Sequence, residues 1–90
     1  MKADKDKTLR KLKTVKGQID GLIKMVESDR YCIDISNQLM ASISILKNVN
    51  TDVLSSHLEH CVYHAVENGS KDDGIEKIEE IEQIIKKLSK

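Results

Sequence analysis

Cys32, His57 and Cys61 are the side chains of this sequence whose types and spacing suit metal chemistry. His57 and Cys61 stand four positions apart, so on a helix they share one face. Cys32 precedes His57 by 25 positions. Along one continuous helix that is ~37 Å, too far for a single chain to bring all three to one ion. Two chains running antiparallel would set the start of one helix beside the later part of the other, and symmetry would make two such sites. Two thiolates and an imidazole form a soft, low-coordinate set suited to Cu(I). Structural Zn(II) takes four protein ligands. His60 and His64 lie within about 100° of the His57–Cys61 direction on a helical wheel. Zn(II), Ni(II) or Co(II) held with more histidines is therefore the competing metal reading.

Other chemistries fit the same residues. On spacing alone Cys61 reads more readily as a small buried hydrophobe among surface histidines. Between chains, Cys32 and Cys61 can form a disulfide, or act as a thiol pair that senses reactive sulfur or oxidants. A Cys–His pair can also support nucleophilic catalysis. Here it has no glycine-rich elbow, no third group and no room for a substrate pocket of ~300 Å³, so neither an enzyme nor a small-molecule substrate is expected. Met25 and Met40 fall at helical core spacing and read as packing.

Three amphipathic helices must position these residues. The first is expected from about Lys7 to Ser28, with Leu9, Leu12, Val15, Ile19, Leu22 and Val26 on its apolar face. Gly17 and Gly21 share a face within it and suggest close helix–helix approach. Ser28 to Tyr31 form a short connection. The second helix is expected from about Cys32 to Glu67, with Ile35, Leu39, Ile43, Leu46, Val49 or Asn50, Val53, Leu58 and Val62 as its stripe. Asn68-Gly69 is a stop signal, and Ser70 to Asp73 offer caps. The third is expected from Asp73 to Leu88, with Ile75, Ile78, Ile81, Ile84 or Ile85, and Leu88 facing inward. A helix of ~36 residues spans ~54 Å, more than its two partners can cover. The expected fold is all-α: three helices per chain in one domain, residues 1–90, completed by an antiparallel four-helix-bundle dimer.

Composition narrows the function classes. The 90 residues carry 15 basic and 15 acidic side chains, a net charge of zero. The neutrality is uneven, because residues 1–16 hold seven basic groups against two acidic ones. Such a basic segment suits a surface that meets a polyanion, or simply a solvated helix start. No apolar run approaches the ~18 residues of a membrane span, and no signal-peptide pattern opens the chain. A cytoplasmic protein without a membrane partner is expected. Two cysteines are too few for a disulfide scaffold, and the absence of proline favours helices.

The run LRKLKTVKGQIDGLIKMVESDRYCIDISNQLMASI, from Leu9 to Ile43, together with HLEHC, from His57 to Cys61, resembles the copper-sensing branch of the CsoR/RcnR family of bacterial transcriptional regulators. The resemblance implies a disc-shaped tetramer, a dimer of antiparallel four-helix dimers. It implies that Cys32, His57 and Cys61 are Cu(I) ligands, with Tyr31 beside the first of them. It also implies a repressor that binds operator DNA when metal-free and releases it on binding Cu(I), so that copper-homeostasis genes are expressed. Arg10, Lys11, Lys13, Lys16 and Lys47 are then the DNA-binding candidates. The sequence departs from the family at two places. The third-helix glutamate of the family is matched by Lys77, with Glu76 next to it as the alternative partner of Tyr31. An arginine tied to DNA binding is matched by Asn48. A persulfide-sensing repressor on the same scaffold and a metal-buffering protein without a DNA role are the alternatives. The joint presence of Cys, His and Cys favours copper over the nickel, formaldehyde and persulfide branches.

Overall fold

A computed structural model describes residues 3–68 and 71–88. The chain forms α1 (Lys5–Glu27), α2 (Cys32–Asn68) and α3 (Lys71–Leu88), and the described residues contain no strand. It is all-α, as expected. The helix ends lie within two residues of the expected ones, and α1 shows why one of them shifts. Asp4 is its N-cap, with Oδ1 accepting from the Lys7 N–H at 3.1 Å, so the helix begins at Lys5 rather than Lys7. The expected stop at Gly69 and cap at Ser70 lie outside the described residues. Asp73, also offered as a cap, is already inside α3.

The turn between α1 and α2 is a Schellman motif. The Arg30 N–H donates to the Met25 carbonyl at 2.9 Å and the Asp29 N–H to that of Val26 at 3.1 Å. Asp29 carries the left-handed conformation, φ 51°, which glycine usually fills. Tyr31 then starts α2, its carbonyl accepting from the Asp34 and Ile35 N–H groups at 3.0 and 3.2 Å. This chemistry fixes Cys32 as the first residue of the long helix.

The helices group into two compact units that divide α2 between them: Asp4–Asn50, and a second built from Thr51 onward. In the first unit α1 runs antiparallel to the first part of α2. Lys11 Nζ donates to Asn48 Oδ1, and Ser42 Oγ donates to Gln18 Oε1 at 2.6 Å. Val15, Leu22 and Val49 are buried there, with Thr8 and Ser42. The buried row is narrower than the apolar stripes suggest. Leu9, Leu12, Ile19 and Val26 of α1, and Leu39, Ile43 and Leu46 of α2, are 41–59% exposed. Met40 is exposed too. An added Cβ at Gly17 or Gly21 would meet nothing within 4 Å, so the chain itself makes no close approach there.

In the second unit the later part of α2 pairs with α3. Ile84 is buried, Ile81 is half-buried, and Ile75, Ile78 and Ile85 are exposed. Among the described residues no helix is long and apolar enough to cross a membrane.

Candidate metal centre

One turn of α2 sets His57 beside Cys61. The Cys61 Sγ lies 3.5 Å from His57 Nε2 and 3.8 Å from Nδ1. From α3, Glu80 Oε1 lies 2.8 Å from His57 Nε2, and Glu80 Oε2 accepts from Lys77 Nζ at 3.1 Å. One ligand atom each from His57, Cys61 and Glu80 falls within 4.8 Å of the others. The group is open to solvent on one side, with the His57 side chain 47% and that of Glu80 34% exposed.

Charge holds the group together. The hydrogen bond with His57, and then the one from Lys77, keep the Glu80 carboxyl below its ordinary range. The bond to Glu80, that carboxylate's charge and the charge of Cys61 push the Lys77 ammonium up. The Glu80 contribution to stability is thus present above the ordinary carboxylate value of 4.5 and is lost as pH falls through the lowered one. The Lys77 contribution is present below 10.5 and is lost only as pH rises through its raised value.

The donor set passes a simple test of fit. A carboxylate on Nε2 favours the tautomer with its proton there, which leaves the Nδ1 lone pair for a metal. Sulfur and nitrogen bound to one ion at ~2.3 and ~2.0 Å, at angles of about 109–120°, lie roughly 3.5–3.7 Å apart. The observed 3.8 Å between Sγ and Nδ1 needs little adjustment to match.

The residues singled out in the sequence fall in both units. His57 and Cys61 come together in the second. Cys32 and Tyr31 belong to the first, where both are exposed at the start of α2. Glu76 is exposed on α3, and it is Glu80, one turn further on, that reaches His57. Sequence reading missed Glu80. The signal was its place four residues before Ile84, since a carboxylate in the row of a buried isoleucine is an anomaly. Arg10, Lys13, Lys16 and Lys47 are exposed in the first unit, whereas the half-buried Lys11 is bonded to Asn48, the residue at the family's arginine position.

Comparison with known proteins gives consistent matches. Residues 4–87 match the family described as "Metal-sensitive transcriptional repressor". The chain is 40% identical over 87 residues to the copper-sensing transcriptional repressor CsoR of Bacillus subtilis, covering 97% of this chain and 83% of that one. It resembles the crystal structure of the copper-sensing repressor CsoR with Cu(I) from Geobacillus thermodenitrificans. That match has a TM-score of 0.80 and 36% identity, over 94% of this chain and 85% of the other. The nickel-responsive transcriptional regulator InrS shares the fold, with a TM-score of 0.81 at 22% identity, over 98% of this chain and 96% of the other.

Proposed function

The chain belongs to the family of metal-sensitive transcriptional repressors, and from that premise we propose that it is a Cu(I)-responsive repressor. The family is one of regulators, not of enzymes. The metal-free protein binds operator DNA in the cytoplasm. Cu(I) bound by Cys32, His57 and Cys61 lowers its affinity for DNA, and by linkage DNA lowers its affinity for Cu(I) by the same factor. The observation that carries this reading is the His57–Cys61 pair, with Cys61 Sγ 3.5 and 3.8 Å from the two ring nitrogens and Glu80 on Nε2. The names of the 36–40% identical relatives support copper as that ion.

Cys32 joins the pair from a second copy of the chain. Among the described residues seventeen large apolar side chains are exposed, against four buried ones. A surface so apolar calls for association, and an antiparallel dimer, then a tetramer, covers it. The assembly repeats the exposed Arg10, Lys13, Lys16 and Lys47, together with Lys11, so phosphate attraction is strong although each chain is neutral. Tyr31 lies beside Cys32 in sequence and so comes to the same site.

The test is an anisotropy titration of a labelled fragment of the protein's own promoter. Metal-free protein is expected to bind it, and one equivalent of Cu(I) per chain, added anaerobically, to release it. Failure to bind at low salt would leave a metal-buffering protein. A His57→Ala variant that still releases DNA fully with copper would point to thiol chemistry.

A further inference from the structure

Lys77 stands where the family's glutamate is matched, and it touches the site through Glu80. Both carboxylate oxygens of Glu80 are engaged, Oε1 by His57 and Oε2 by Lys77. The same carboxylate lies close enough to His57 and Cys61 to complete a nitrogen–sulfur–oxygen set around an ion. These two facts compete. Held on Nε2 by both hydrogen bonds the carboxylate orients the imidazole; released from Lys77 it can turn off Nε2 and offer an oxygen to the ion.

The choice matters differently for different ions. Cu(I) is soft and takes thiolate and imidazole, so a carboxylate adds nothing to its coordination. Zn(II) seeks a fourth protein ligand and accepts carboxylate oxygen readily. We propose that Lys77 is a specificity-determining residue, which helps to hold the Glu80 carboxylate on His57 Nε2 and so away from the ion, and thereby biases the site towards monovalent copper and against divalent zinc. The charge of Lys77 acts in the same direction. A cation near the Cys61 sulfur repels a doubly charged ion twice as strongly as a singly charged one. Lys77 is three residues from Glu80 on α3, so the pair is set by the helix itself.

This inference rests on the copper-site reading above and deepens it. The test compares the full-length protein with Lys77→Gln, Lys77→Arg and the double variant Lys77→Gln/Glu80→Gln. Anaerobic competition with chromophoric chelators gives the Cu(I) and Zn(II) affinities of each. Lys77→Gln is expected to raise Zn(II) affinity about tenfold and to leave Cu(I) affinity within about threefold. Lys77→Arg keeps the wild-type ratio of the two. The double variant loses the gain, because the freed oxygen that caused it is gone. An unchanged ratio in Lys77→Gln, or a gain that survives in the double variant, overturns the proposal. Should Lys77→Gln not fold, Lys77→Met, which keeps the apolar stem, makes the same comparison. Wild-type protein that binds no Cu(I) tightly would defeat the copper reading itself and this proposal with it. Tight Cu(I) binding with an unmoved ratio defeats the role of Lys77 alone.

Discussion

In residues 4–50 the contact between α1 and α2 is made by buried Val15, Leu22 and Val49, with Ser42 and Gln18 as a polar pair inside it. In the unit that begins at Thr51, Ile84 is the buried apolar side chain among the described residues, and His57, Glu80 and Lys77 tie α2 to α3. Apolar burial is indifferent to an ion. A contact built from a metal ligand and its hydrogen-bond partner is not, because binding changes the charge on the imidazole that Glu80 holds. On the proposed copper reading this is a division of labour: the first unit is a stable, basic platform that lends Cys32, and the second is the responsive unit, whose own helix contact contains the His57 ligand.

Breaking the responsive unit is expected to have the largest effect. His57→Ala or Cys61→Ala should weaken Cu(I) binding about a hundredfold or more. The same variants, metal-free, should bind DNA as the wild type does; chelator competition and anisotropy check the two halves. In the platform, Leu22→Ala should cost about 2–3 kcal/mol of stability by chemical denaturation, because it empties part of the buried row. Cu(I) ligation at His57 and Cys61 should persist in that variant under native conditions. Arg10→Ala, Lys13→Ala and Lys16→Ala should each weaken DNA binding and lower the salt-dependence slope by about one, with Cu(I) affinity unmoved. The smallest expected effect sharpens the comparison rather than breaking it. Asp29→Gly relieves the left-handed residue in the platform's turn and should stabilise the metal-free protein by about 0.5 kcal/mol, read as a rise in Tm.

Much of this was legible in the sequence because it is local. The spacing of His57 and Cys61 already placed them on one face, and the apolar periods gave three helices with ends close to those observed. Local patterns are silent where two elements must be set in register. An ungapped match pointed to Lys77 and Glu76, while the carboxylate that reaches His57 is Glu80. Which α3 carboxylate meets His57 depends on how the two helices are set against each other, and no local pattern carries that. The apolar stripes are ambiguous in another way. Ile19, Leu39 and Ile43 have core spacing yet are exposed in the single chain. Periodicity reports that a face is apolar, not which surface covers it. Asp29 was hidden for a third reason: its left-handed backbone is usually glycine's, and no glycine marks the turn.

The central claim is that copper is held between two copies, with Cys32 from one and His57 and Cys61 from the other. Co-refolding equal amounts of the Cys32→Ala and Cys61→Ala chains tests it directly. Neither variant alone should bind Cu(I) tightly. Half of randomly mixed dimers pair unlike chains, and each of these regains one complete site, so tight binding should return to about a quarter of the wild-type stoichiometry. A mixture that binds no more Cu(I) tightly than its two components do separately would contradict a shared site.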